Sequence, residues 1–187
     1  MDYSIYLRPI NIDDANVSYQ WRNNPLVWQF TKFKPTNYIT RAIETAWLAK
    51  VLKIKNDFRF AICLKENNQY LGNIQLINVK HKSACLHLFI GDPLLWGKGI
   101  GKEATGLLLE YGFKTLGLRC IMLEVHKDNL SAQRIYQKTG FQAFNKRGDF
   151  IGMTITRKHY DERQMVIQGN EENHNGQVLM SPAYRQM

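Results

Sequence analysis

Three cysteines among 187 residues, Cys63, Cys85 and Cys120, are odd in number, widely spaced and set among apolar neighbours. That excludes a disulfide framework, and no metal-ligand spacing appears, so they read as buried free thiols of a reducing compartment. No apolar run approaches the roughly 18–20 residues of a membrane helix. The opening MDYSIYLRPI carries an acid at its second position and has no signal-peptide pattern, so a cytoplasmic chain without membrane contact is expected. No block of five or six consecutive basic residues occurs, which weighs against nucleic acid as a partner. Neither an internal repeat nor an interdomain linker is present.

What the chain does have is a globular composition, 44% hydrophobic and 22% charged, at a length suited to one domain with a real core. Its formal net charge is +9. A surplus of that size favours an anionic partner, whether nucleic acid, cofactor or substrate, or serves solubility alone.

YSIYLRPI alternates and is rich in β-formers, predicting a first strand. NIDDANVSYQWRNN offers Asn11 or Asp13 as a helix cap and ends at an asparagine pair before Pro25. TNYITRAIETAWLAKVLK takes Thr36 or Asn37 as cap and sets Ile39, Ile43, Ala46, Trp47 and Val51 near one face, Trp47 in the core. DFRFAICLKENNQYLGNIQLINV reads as two strands joined by a turn at Glu66–Gln69, and KHKSACLHLFI as a third, ending near Ile90. From Gly99 a helical pattern turns Ala104, Leu107, Leu108, Tyr111 and Leu116 inward and stops at Gly117. LRCIMLEV is a strand, NLSAQRIYQKTG a helix closed by Gly140, and FQAF, FIGMTI and QMVIQ read as strands. The polar GNEENHNGQ then precedes QVLM, a last strand or a fraying end. The sum is a mixed α/β domain over residues 1–167 and a tail over 168–187.

WGKGIGKEA, Trp96 to Ala104, opens a helix with glycines at alternate positions. Each costs about 0.5–1 kcal/mol relative to alanine within a helix, so a loop this loose calls for a reason. The dinucleotide fingerprint fails because Lys102 stands where the third glycine belongs. The P-loop fails because Trp96 replaces its first glycine and Glu103 its Ser/Thr. What remains is the helix start itself, whose unpaired amides and dipole attract anions, with Lys98 and Lys102 adding charge. An ordinary flexible loop is the alternative.

The same nine residues resemble the pyrophosphate-binding loop of the GCN5-related N-acetyltransferases (GNAT), Gly99 and Gly101 falling on the motif glycines and Trp96 on its Gln/Arg position. That departure is familiar in the ribosomal-protein acetyltransferase-like (RimJ/RimL-like) branch. NLSAQRIYQKTGF resembles a second motif of that branch, with Asn129, Tyr136, Lys138, Gly140 and Phe141 in register. The resemblance covers roughly residues 5–150. It implies the GNAT fold: a central, mostly antiparallel mixed sheet of six to seven strands flanked by about four helices and splayed at a cofactor slot. It also implies acetyl transfer from acetyl-CoA to a primary amine by direct attack, without metal.

By this resemblance, Gly97, Lys98, Gly99, Ile100, Gly101 and Lys102 hold the pyrophosphate. Ile90 pairs with the pantetheine amides, and Asn129 bonds the cofactor arm. Arg134 and Lys138, four apart on one helix, reach phosphates or form a solvated basic face. Tyr136 matches the tyrosine that protonates the leaving thiolate; read without the motif it is a core aromatic beside Ile135 and Phe141. Glu124 lies on the strand face of Met122 and His126, as general base or as an ordinary charged strand end. His87 is a second possible base or a buried, satisfied histidine. Trp21, Arg22, Trp28 and Phe30 border the acceptor pocket or belong to the core. The acceptor is a small-molecule amine, such as a nucleotide-linked amino sugar, or a protein N-terminal amine, handled by a monomer or homodimer. The competing readings are a catalytically silent CoA-binding module and a basic RNA-associated protein.

Overall fold

In a computed structural model, residues 3–32 and 34–178 are described. Strand β1 (Ile5–Pro9) leads into a 3-10 turn and helix α1 (Ala15–Arg22), then α2 (Pro25–Trp28) and α3 (Arg41–Val51). Three strands follow, β2 (Phe58–Leu64), β3 (Tyr70–Lys80) and β4 (Ser83–Ile90). After them come α4 (Ile100–Glu110), β5 (Cys120–His126), α5 (Leu130–Thr139), β6 (Gln142–Arg147), β7 (Phe150–Thr156) and α6 (Arg157–Val178). The strands form one seven-stranded sheet in the order β1-β2-β3-β4-β5-β7-β6. Every neighbouring pair is antiparallel except β4 and β5. The mixed sheet read from the sequence is thus present.

The parallel pair is brief. Only Ser83, Ala84 and Cys85 find partners, in Cys120, Ile121 and Met122. Beyond them Leu86–Ile90 stays paired to β3 alone, and Leu123–His126 to β7 alone. The sheet therefore parts along a wedge at its centre.

Alternation decides which side of the sheet is core. Ile74, Leu76, Leu86, Ile121, Leu123, Val125, Met153 and Ile155 bury one face against Ile100, Ala104, Leu108 and Phe113 from α4 and its extension, and Tyr136 from α5. The opposite face carries Arg59, Gln75, His87 and Glu124, and α1–α3 cover its β1–β3 half. Glu103 on α4 accepts the Ile5 amide at 3.2 Å, tying that helix to the first strand. Past Glu110 the helix widens into a π-turn at Tyr111–Thr115, ended as expected near Gly117.

The structure corrects the sequence reading in two helices, α3 and α6. Helix α3 is capped by Thr40, not by Thr36 or Asn37, and buries Glu44, Leu48 and Val51 while Ile43 and Ala46 are exposed. Trp47 is half-buried rather than core. An acidic residue occupies the inward position because Ser18 donates to it and Arg22 faces it, so hydrophobic periodicity misses that face. QMVIQ, residues 164–168, is helical and not a strand. Arg157–Asp161 and Lys158–Glu162 pair at i,i+4, and Tyr160 anchors the helix against Phe113 at 4.8 Å. Helix α6 crosses the expected boundary at 167 and continues through the polar GNEENHNGQ. The QVLM strand falls partly in its last turn, and Leu179 and Met180 lie outside the described residues.

Candidate functional site

The glycine-rich loop sits where the wedge opens, between the end of β4 and the start of α4. Gly97 (φ 76°) and Gly99 (φ 86°) both adopt the left-handed backbone, which costs other L-residues roughly 1–2 kcal/mol. A Cβ at either would meet nothing within 4 Å, so the loop is open on that side. Among the described residues, the amides of Gly97 to Gly101 donate no hydrogen bond, whereas Lys102 and Glu103 already return theirs to the Gly99 carbonyl. Five successive free N–H groups at the positive end of an 11-residue helix form an anion cradle, with the exposed Lys98 and Lys102 beside it. Gly101 differs from its neighbours. It is buried, and a Cβ there would come within 3.2 Å of Ile135 and 3.5 Å of Leu88, so this glycine lets α4 pack against α5 and β4.

Trp96 precedes the cradle, and its indole Nε1 donates to the Ile90 carbonyl at 3.1 Å. The loop is thereby pinned to the strand end that borders the wedge. Asn129 caps α5 by accepting the Ala132 amide at 3.1 Å, which leaves its side-chain NH2 free to donate to other partners. Arg134 and Lys138 are both exposed on that helix. Tyr136, on its inward face, is 6% exposed and packs edge-on against Phe141 at 5.7 Å. Its hydroxyl has no hydrogen bond among the described residues, although a buried tyrosine usually finds one. Burial pushes the phenol pKa up, so it stays protonated across the physiological range.

On β5, Glu124 projects from the face opposite Leu123 and Val125, in the stretch already separated from β4. Lys32 reaches its carboxylate at 2.5 Å and lies 4.8 Å from the Phe150 ring centroid. Phe30 stacks near His126 at 5.5 Å, and His126 meets Phe150 edge-on at 5.2 Å. His87 is exposed on the same sheet face, not buried and satisfied. Its pKa is lowered by desolvation first and the Arg59 charge second, against the opposing pull of Glu124 and Asp57.

The acceptor-side residues separate into two places. Arg22 and Trp28 line a cavity of about 640 Å³ with Lys34 and Tyr38, and among the described residues no carboxylate contributes to its wall. Arg22 lies between two indoles, 5.0 Å from Trp28 and 4.6 Å from Trp47, and faces the buried Glu44 at 3.3 Å. Trp21 is 9% exposed, with its ring against Gly91, Tyr70 and Phe89, so it backs the site rather than lining it. Phe30 stands at the wedge with Lys32. Sequence reasoning missed Lys32, Lys34, Tyr38 and Phe150; no spacing rule links the loop after α2 to β5.

Residues 4–142 match the acetyltransferase (GNAT) domain family. The probable N-acetyltransferase YjcK of Bacillus subtilis (strain 168) is 29% identical, over 96% of this chain and 95% of that protein. MJ1062, an uncharacterized protein of Methanocaldococcus jannaschii, is 24% identical over 78% of this chain and 29% of its own length. Among solved structures, spermidine N-acetyltransferase from Vibrio cholerae in complex with CoA and spermine has a TM-score of 0.75 at 23% identity, covering 85% of this chain and 99% of that one. Apo FdhC, a nucleotide-linked sugar GNAT, has the same TM-score at 20% identity over 89% and 94%. These structural likenesses establish the fold.

Proposed function

The chain belongs to the acetyltransferase (GNAT) family and is an acyltransferase, and from that premise we propose that it acetylates the primary amine of a nucleotide-linked sugar, using acetyl-CoA. The observation that carries the acceptor class is the cavity wall. It offers Lys34 and the Glu44-backed Arg22 as cations and Trp28 and Tyr38 as flat rings, and none of its described lining residues is a carboxylate. A diphosphate with a base suits that lining; a polyamine, whose every recognised group is cationic, finds no counter-charge in it. The spermine-bound relative shares the fold, and the acceptor is decided by side chains.

On this reading the five free amides from Gly97 to Gly101, with Lys98, Lys102, Arg134 and Lys138, hold the CoA phosphates. Ile90 and the Asn129 amide meet the extended arm in the wedge. Glu124 takes a proton from the acceptor ammonium, directly or through water, and the freed amine attacks the thioester carbonyl. Tyr136 donates a hydrogen bond to the departing sulfur. A phenol with a raised pKa is a weak acid beside a thiol near 8.5, so stabilising the thiolate by that bond contributes more than full proton transfer.

The resemblance of the Trp-Gly-Lys-Gly loop and the Asn129–Phe141 motif to the RimJ/RimL-like branch supports a protein N-terminal amine as the second acceptor. We assign the protein to the cytoplasm, as a monomer or homodimer, with 1–167 as the catalytic domain. A thermal melt with acetyl-CoA tests the cofactor: at 100 times its dissociation constant it adds about 2.7 kcal/mol of stability. Thiol release is then measured with nucleotide-linked amino sugars, spermidine and a peptide bearing a free N-terminus. Turnover with the sugar class alone is expected. Turnover with spermidine alone overturns the acceptor, binding without turnover of any amine indicates a silent CoA module, and no stabilisation at all returns attention to the basic surface and RNA.

A further inference from the structure

Lys32 has no place in the mechanism above, yet its ammonium stands beside the carboxylate to which that mechanism gives the amine's proton. It is 2.5 Å from the Glu124 carboxylate, on the strand that borders the wedge, with the Phe150 ring 4.8 Å away. Exposure does not explain this. The two side chains are 42% and 48% accessible, and a surface pair of that kind contributes only about 0–1 kcal/mol. What keeps Lys32 there is the loop that carries it. Asn23 closes residues 24–38 at the base, its Nδ2 donating to the Ile39 carbonyl at 2.8 Å and its Oδ1 accepting the Ile39 amide at 2.8 Å. The Trp28 indole donates to the Trp21 carbonyl at 2.9 Å, and the Thr31 amide to the Trp28 carbonyl at 3.1 Å. Phe30 adds a contact to His126. The lysine is thus presented to β5 by a segment fastened at its base and again at residues 28–31.

We propose that Lys32 is an acceptor for the enzyme's own acetyl transfer, modified in cis. The proposal rests on the acetyl-CoA reading above. Glu124 takes one proton from the Lys32 ammonium. Lys32 Nζ then forms a bond to the acetyl carbonyl carbon, and the carbon–sulfur bond breaks. The second nitrogen proton passes to the leaving thiolate, and Glu124 returns its proton to water. The products are Nε-acetyl-lysine, CoA thiol and one proton in solution. The acetylated side chain is neutral and no longer pairs with Glu124, which leaves that carboxylate free for an external amine.

The test is peptide mapping by mass spectrometry after incubation of the full chain with acetyl-CoA. Lys53, exposed and remote on the turn after α3, serves as the internal measure of non-enzymatic labelling. Lys32 should label at least about tenfold faster than Lys53, and Glu124→Gln should remove that advantage while leaving Lys53 unchanged. The labelling half-time should not change on tenfold dilution of the protein. Circular dichroism and acetyl-CoA binding of Glu124→Gln establish that the variant is folded and loaded. Three results overturn the proposal and leave the transferase reading standing: an unmodified Lys32 in a preparation that releases thiol with an added amine, labelling no faster than Lys53, or a rate that scales with protein concentration. Absence of both acetyl-CoA binding and thiol release fells the transferase reading, and this proposal with it.

Discussion

The two sides of the wedge are built from different materials. The side proposed for the cofactor is mostly main chain: free amides from Gly97 to Gly101, the Ile90 carbonyl, and two sheet edges that part after three residue pairs. The side proposed for the acceptor is side chains delivered by a loop and three helices, in two places: Lys32 on Glu124 at the wedge, and Arg22 between two indoles with Lys34 and Tyr38 on the cavity wall. A main-chain site needs a backbone path, and glycine spacing writes that path into the sequence. A side-chain site needs a tertiary meeting, which no local spacing records.

The sharpest way to break this comparison is at Gly99. Gly99→Val forces a β-branched residue into φ 86° and should lower acetyl-CoA affinity by roughly 100-fold, with a fall in Tm of only a few degrees, because its Cβ meets nothing. Calorimetric titration and a melt separate the two effects; an equal loss of both makes the loop purely structural. Gly101→Val is the contrasting control, since its crowding against Ile135 should cost stability as well.

Tyr136→Phe comes next. It should reduce kcat by about 100-fold with acetyl-CoA affinity and Tm unchanged, because the lost hydroxyl has no partner among the described residues to leave unsatisfied. Steady-state rates beside a melt check this, and a drop in Tm of several degrees would identify the tyrosine as a packing residue.

Glu44→Ala sharpens the acceptor side. It removes the counter-charge of Arg22 and the acceptor of the Ser18 hydroxyl, at a cost of about 2–4 kcal/mol. The amine KM should rise while acetyl-CoA affinity holds, read from initial rates with each substrate varied in turn.

The smallest effect concerns pH. Because the folded protein holds the His87 pKa below its ordinary value, the unfolded chain binds a proton first as pH falls through about 6.5. Stability from this residue is full above that pH and is lost below it. Tm should fall by about a degree more between pH 7.5 and 5.5 in the parent than in His87→Gln, a modest slope because the ring is exposed.

The legibility of the fold follows the same division. β2 to β4, α4, β5 and α5 lie where alternation, glycine stops and caps place them, since their local pattern and their packing agree. Periodicity points to the wrong face of helix α3 because Glu44, buried against Ser18 and Arg22, breaks the apolar stripe. In α6 the apolar Met165, Val166 and Ile167 imitate a strand, and only i,i+4 ion pairs beside an anchored Tyr160 reveal the helix. For the candidate site, the motif singles out Tyr136, which lies buried on α5, and strand alternation sets Glu124 on the face away from Leu123. The meeting of Lys32 with Glu124, 92 residues apart in sequence, follows from no local pattern.

The short β4–β5 contact has a consequence of another kind. Leu86–Ile90 and Leu123–His126 are sheet edges inside a protein, and an edge is a template on which any extended chain can add itself. Most proteins hide or charge such edges to avoid clumping with their neighbours. Here the two edges converge on a closed end, so a lone flexible arm bearing amides can lie between them, while a preformed sheet from another molecule cannot. The feature that makes the fold incomplete as a sheet is the same one that screens its visitors by thickness.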